Sequence, residues 1–241
     1  MFWSDLSTRT FAVHSERADT VLWPVGSVEA HGPHCPLGTD NLLPDAICRA
    51  AADLLDDRVL VLPPVPFGHS WELAVFPGTV NVPTDVFAAY VTAVGREVVR
   101  WGMRYVVVVN GHGGNIPALT WASEQIAEAS GARGPARVTV VNWWLDCAEG
   151  IRAITGGQGH AGEDETSAVL ATSPHLVDMT VAPTNNYRPP VRVKTVGIGA
   201  SVFAQAMTGD ATRATPAAGQ AILALAARHV AETVQALHDH T

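Results

Sequence analysis

The sequence predicts an α/β fold on a mostly parallel central sheet, and two observations carry that prediction. Short apolar runs alternate with longer segments of helical periodicity. One of the runs, Tyr105–Val109, is an unbroken apolar, valine-rich stretch of the kind that central parallel strands show when both faces are buried. The 241 residues suit one large domain, and no repeat, low-complexity tract or linker divides them, so a single domain over 1–241 is expected.

Thr20–Val25 reads as the first strand and runs into a Gly/His-rich loop, Gly26–Thr39. Asp40–Leu55 follows as a helix, because Leu43, Ile47, Ala50, Ala51, Leu54 and Leu55 fall on one face. Pro44 is expected in its first turn, where proline does least harm. Val59–Leu62 is the next strand, closed by Pro63-Pro64. The loop Pro66–Thr84, with Phe76-Pro77-Gly78-Thr79, is too turn-rich for a regular element. Thr84 or Asp85 is expected to cap a helix whose apolar face is Phe87, Tyr90, Val91, Val94, Val98 and Trp101, and Gly102 ends it.

After Tyr105–Val109 comes a glycine-rich turn, Asn110–Asn115, then a helix over Ile116–Ser130 and a strand over Val138–Trp143. A Gly-rich loop leads to a short helix, Glu163–Thr172, stopped near Pro174. Met179–Gly209 reads as irregular, with a local charge of +3 from Arg188, Arg192 and Lys194, and a solvated loop is its plainest reading. Thr215-Pro216 opens a final helix to about Leu237, with proline at its first position.

Composition narrows the function. Charged residues make up 16% of the chain, against a usual ~25%, which excludes a disordered protein and suggests surface hidden in a homo-oligomer. Trp3, Trp71 and Phe76, in segments without core periodicity, are candidates for such an interface. A net charge of −8 argues against nucleic acid or an anionic membrane as partner. Cys35, Cys48 and Cys147 are scattered and odd in number, as reduced thiols of a cytoplasmic protein would be. Met1–Asp19 carries charges and lacks the apolar core of a signal peptide, and no run approaches the ~20 apolar residues of a membrane span.

In open parallel sheets, ligands bind beyond the carboxyl ends of the strands, so polar residues directly after strands are the ones to inspect. The first loop holds Glu29, His31, His34 and Asp40. Glu29 and His31 alternate by two and point the same way in an extended segment, while Asp40 also suits a helix N-terminus as a plain cap. The second loop is Asn110-Gly111-His112-Gly113-Gly114-Asn115. It lacks the Lys and Ser/Thr of a P-loop and breaks the G-x-G-x-x-G spacing; a tight turn with an incidental histidine is the alternative. The third is His160 followed by Glu163, Asp164 and Glu165, acids that also suit a helix start on their own.

Together these imidazoles and carboxylates, with no thiolate at useful spacing, suit Zn²⁺, Mn²⁺ or Fe²⁺. Carboxylate-rich sets are typical of two-metal hydrolytic sites, with ions about 3.5–4 Å apart. No G-x-S-x-G elbow and no H-E-x-x-H helix is present, and Cys35 is a poor nucleophile candidate because it sits between ligand-type residues.

Four motifs in order, Glu29-x-His31-Gly-Pro-His34…Asp40, Phe76-Pro-Gly-Thr79, Asn110-Gly-His112-Gly-Gly-Asn115 and His160-Ala-Gly-x-x-Glu165-Thr-Ser, resemble the creatininase (creatinine amidohydrolase) family over about residues 20–180. The resemblance implies a three-layer α/β/α sandwich, two divalent metal ions per chain and a hexamer. Position by position, it implies that Glu29, His31, Asp40 and His112 are metal ligands, Asp40 bridging, and that His160 is the proton shuttle. Trp144 falls where creatininase places an aromatic over its substrate, with His34 and Gly113 as further substrate-binding candidates. Trp143 and Trp144 read equally as core packing at a strand end.

One departure matters. Creatininase has a glutamate two residues after the second-loop histidine, and Gly114 stands there, which makes creatinine an unsuitable substrate and Glu165 the candidate fifth ligand. The resemblance implies hydrolysis of a non-peptide amide, cyclic amide or formamide, of a small molecule by a hydroxide that the two ions share. The alternatives are a metallopeptidase of the mycofactocin precursor type and, from another class, a non-catalytic metal-binding oligomer.

Overall fold

The computed structural model describes residues 1–55, 57–191 and 193–239; Arg192 of the basic stretch lies outside the described residues. Four strands form one parallel sheet: β1 (Thr20–Val25), β2 (Val59–Val61), β3 (Tyr105–Asn110) and, after the two-residue ladder of β4 (Ser130–Gly131) with β5 (Gly134–Pro135), β6 (Arg137–Asn142). Their order is β2-β1-β3-β6 and every pairing is parallel, the sheet type that the alternating pattern predicts. Val25 pairs with Asn110 and Asn110 with Asn142, so three strands end level with one another.

The β3 valines explain why that strand reads as unbroken apolar sequence. Val106 and Val108 pack with Phe87, Val91, Leu119 and Ile126 on one face; Val107 and Val109 pack with Leu43, Ile47, Ala226 and Val230 on the other. Successive side chains point to opposite faces, and neither face meets water. Helices α3 (Thr84–Arg100) and α4 (Ile116–Ala127) supply the first layer. Helices α2 (Thr39–Asp53), α7 (Glu163–Thr172) and α9 (Pro216–Asp239) supply the other, which makes the three-layer α/β/α sandwich.

Several local expectations are corrected. Pro44 lies beyond the first turn of α2, inside the helix. Pro83, not Thr84 or Asp85, is the N-cap of α3, and no side chain caps that end. At α9 the expected start holds: Thr215 Oγ1 accepts from Ala218 N at 3.1 Å ahead of Pro216. The N-terminal segment contains α1 (Thr8–His14), opened by a Ser7–Thr10 capping box. Trp3 stacks on Phe11 with ring centroids 4.5 Å apart, so its ring packs within the chain.

Two short helices, α5 (Trp143–Asp146) and α6 (Ala148–Ile154), fill the stretch before the Gly-rich loop. Among the described residues, the irregular segment 179–209 holds only β7 (Thr184–Asn185), α8 (Ile198–Val202) and the start of β8 (Gly209–Asp210) besides single turns. Among the described residues no helix is long and apolar enough to cross a membrane, and all three cysteines are free and buried.

Candidate active site

Level strand ends put the first two loops side by side, and close backbone approach sets Asp40 against both. The first turn of α2 carries Asp40 onto the strand ends so tightly that a Cβ on Gly26 or Gly111 would fall 2.3 or 2.2 Å from the Asp40 carbonyl oxygen. Only glycine fits at either place, and Pro44 has no N–H to offer that carbonyl. The asparagines of the second loop hold its shape. Asn110 donates to His112 O at 2.9 Å and to Asn142 Oδ1 at 2.8 Å, and Asn115 donates to Gly26 O at 3.0 Å while accepting from His69 N at 2.9 Å.

Each histidine of the cluster ties one ring nitrogen to a backbone carbonyl and aims the other at carboxylates. His112 Nε2 donates to His69 O at 2.9 Å, and its Nδ1 lies 3.0 Å from Asp40 Oδ2 and 3.2 Å from Glu29 Oε1. His31 Nδ1 donates to Glu29 O at 3.2 Å, and its Nε2 lies 3.0 Å from Asp40 Oδ1 and 3.6 Å from Glu165 Oε2. Metal-binding histidines are oriented in this way. His160 Nε2 donates to Ala30 O at 2.8 Å, leaving Nδ1 at 3.7 Å from Glu29 Oε1.

Two groups emerge that could each hold a divalent cation: Glu29, Asp40 and His112, and His31, Asp40 and Glu165. Asp40 belongs to both, one carboxylate oxygen toward each histidine. A third combination, Glu29, His31 and His160, overlaps them. Both Glu29 oxygens, Asp40 Oδ2 and His31 Nε2 are buried with no partner in full hydrogen-bond geometry among the described residues, only the close imidazole–carboxylate approaches above. Buried polar atoms left that way cost free energy, and a cation satisfies all of them at once, so the residues fit a metal centre.

Glu163, Asp164 and Glu165 part company on α7. Glu165 Oε2 accepts from Ala161 N at 2.7 Å and faces His31. Glu163 accepts from Gly156 N at 3.0 Å and lies 3.7 Å from Arg213. Asp164 accepts from Gly159 N at 3.0 Å, bracing the His160 loop. At Gly114 the backbone leaves room for no side chain: a Cβ would sit 2.0 Å from His69 O and 2.4 Å from His112 Nε2.

A cavity of about 810 Å³ opens over the cluster, lined among others by Trp144, Gly113, His160, Glu165, Phe203 and Arg152. Trp144 and Gly113 therefore stand beside the ligand groups. His34 stands apart, buried behind His31 with Nε2 at 2.9 Å from Thr166 Oγ1 and away from the cavity wall. His69, which aligns His112, and Phe203, whose ring lies 5.5 Å from that of His160, were not singled out from the sequence. A histidine in a turn-rich loop carried a signal for His69; nothing local marked Phe203.

The electrostatics follow from burial and charge together. Burial alone would depress His31, but Asp40, Glu165 and Glu29 outweigh it and raise it to about 10. His112 is raised in the same contest by Glu29 and Asp40. Burial would raise Asp40, yet His31 and His112 hold it well below the usual carboxylate range. Burial pushes Glu165 up to about 8 against the pull of His31. Burial and the His31 charge push His160 down to about 4, so its imidazole is neutral at pH 7 with Nδ1 able to accept a proton.

The chain resembles known proteins over nearly its full length. A mycofactocin precursor peptide peptidase of Mycolicibacterium smegmatis is 34% identical over 233 residues, 92% of this chain and 87% of the relative. A creatinine amidohydrolase of Pseudomonas putida is 29% identical, covering 74% of each. The solved structure described as "Creatininase Mn" superposes with a TM-score of 0.85 at 26% identity and covers 97% of both chains. With the creatininase (creatinine amidohydrolase) family profile matching residues 4–234 as well, the chain belongs to the creatininase family of hydrolases.

Proposed function

We propose that this chain is a two-metal amide hydrolase acting on a peptide of the mycofactocin precursor type. The observation that carries the hydrolase reading is Asp40, shared between two buried ligand groups. Glu29, Asp40 and His112 would hold one divalent ion, and His31, Asp40 and Glu165 the second; Zn²⁺, Mn²⁺ or Fe²⁺ suits such nitrogen and oxygen donors. When bound, the ions polarise a carbonyl and lower the pKa of water toward neutrality.

The chain's own residues do the rest. His160, neutral and held through Nε2 by Ala30 O, takes a proton at Nδ1 and passes it to the leaving nitrogen. Trp144 and Gly113 bound the place where the substrate rests. His34 does not touch it; its role is to fix the first loop.

A peptide is supported by the likeness to mycofactocin precursor peptide peptidases, which extends over more of the chain than the likeness to creatinine amidohydrolase. A small cyclic amide or formamide is the second reading, supported by that other relative. The crowded Gly114 backbone, where creatininase carries a glutamate, counts against creatinine itself. The reading includes a homo-oligomer, a hexamer, supported by the low charged fraction and the exposed Trp71, Trp101 and Trp121. It includes a cytoplasmic setting, supported by the free buried thiols.

The test is mass-spectrometric product analysis of the purified protein with a mycofactocin-type precursor peptide, creatinine and an aryl formamide, with and without a chelator. Chelator-sensitive scission of the peptide alone is expected. Cleavage of only the small amides would move the assignment to the second reading, and no turnover of any would leave a non-catalytic metal-binding protein.

A further inference from the structure

Among the described residues, the cavity wall carries two cationic side chains other than histidine, Lys194 and Arg152, and they are in opposite states. Lys194 is neutralised by an ion pair with Glu72. Arg152, in the last turn of α6, meets no carboxylate among the described residues. Its one hydrogen bond is from Nη1 to the uncharged Gln158 Oε1, at 3.2 Å. Gln158 is itself fixed by donating to Trp144 O at 2.9 Å, and it leads directly into Gly159 and His160. Arg152 is exposed at the cavity wall, and its guanidinium is tied only through Gln158 to the substrate-side tryptophan and the histidine loop, with most of its five N–H donors unspent.

The acids of the same cavity have other partners. Glu29 and Asp40 face His112, Asp40 also faces His31, Glu165 accepts from Ala161 N, Asp164 accepts from Gly159 N, and Glu72 pairs with Lys194. A cation that lines a cavity with its donors unspent can take an anion that arrives with the ligand. A planar carboxylate suits the guanidinium fork best.

The geometry points to Arg152 as a subsite for a carboxylate of the substrate, so that the amide to be cut belongs to a molecule with a carboxylate near it, such as the end of a short peptide. The inference rests on the hydrolase reading only in calling this ligand a substrate; the anion site itself does not depend on turnover.

Equilibrium binding decides it. N-acetyl-dialanine and its C-terminal carboxamide differ only in the charged group, and their dissociation constants are measured by ligand-observed NMR on the wild-type protein and on Arg152→Gln and Lys194→Gln. The expected result is that wild type binds the carboxylate about tenfold more tightly than the carboxamide, the scale of one charge-assisted hydrogen bond. Arg152→Gln should equalise the two, and Lys194→Gln should retain the preference. Equal binding or no binding by wild type would overturn the subsite, as would a preference that survives Arg152→Gln or is lost with Lys194→Gln. A protein that hydrolyses no amide yet shows the Arg152-dependent preference would remove the hydrolase reading and keep the anion site.

Discussion

Thr166 Oγ1 lies 2.9 Å from His34 Nε2, and this one hydroxyl joins the first ligand loop to the helix that carries Glu165. The same oxygen lies 3.2 Å from Ala161 O and 3.6 Å from Cys35 Sγ. His34 is three residues from His31, and Thr166 follows Glu165 directly, so the contact ties together two strands of chain that must converge on Asp40. Thr166→Val keeps the shape and removes the hydroxyl, leaving a buried imidazole nitrogen unpaired at a cost of about 1–3 kcal/mol. Thermal unfolding should show that loss, together with weaker metal retention on dialysis, and Thr166→Ser should restore both. A Val variant as stable and as metal-retentive as wild type would contradict this role.

Gly114→Ala tests the alignment of His112. Its methyl would meet both His69 O and His112 Nε2, the two atoms whose hydrogen bond orients the ring. Overpacking of this kind typically costs about 1–3 kcal/mol. Urea unfolding should report that loss, with one metal position weakened in elemental analysis. An unchanged unfolding midpoint would show that the loop yields more readily than its packing implies.

Much of this was legible in the sequence. The β3 valines announced a strand covered on both faces, and the carboxyl-end rule then marked three loops whose side chains do converge. The missing parts have physical causes. Arg152 sits on α6, whose AEGIRAI sequence mixes glycine with β-branched residues and shows no helical periodicity over seven positions. His34 looked like a partner of its neighbours, yet its contact is with Thr166, 132 positions away, and no local pattern reports such a pairing. Pro44 sits inside α2 where it cannot donate to the Asp40 carbonyl, and that carbonyl packs against the strand-end glycines, a tertiary fact.

Proton release should accompany metal uptake. With no metal bound, His31 is raised to about 10 and His112 is raised too, so both carry protons at pH 7, whereas an unfolded histidine titrates near ~6.5. Their contribution to metal-free stability is fully present below about pH 6.5 and is lost as pH rises toward 10. Metal ligation needs the neutral rings, so apparent affinity rises with pH over that window. Calorimetric titration with Zn²⁺ in two buffers of different ionisation enthalpy should reveal the released protons. A binding enthalpy independent of buffer would contradict the proton accounting.

His160→Ala separates ligation from proton transfer. Metal content should stay at the wild-type level while kcat falls by about 10²–10⁴, the range for a lost general acid–base group. Metal content falling in step with activity would make His160 a ligand, through the overlapping Glu29, His31 and His160 group.

The measurement that bears most directly on the central claim is elemental analysis of the dialysed protein and three variants at the shared carboxylate and its neighbours. About two divalent ions per chain are expected for wild type and for Glu163→Gln, about one for Glu165→Gln, and fewer for Asp40→Asn, whose carboxylate serves both positions. An active preparation holding under about half an ion per chain, or an Asp40→Asn protein that keeps the wild-type content, would contradict a site built on Asp40.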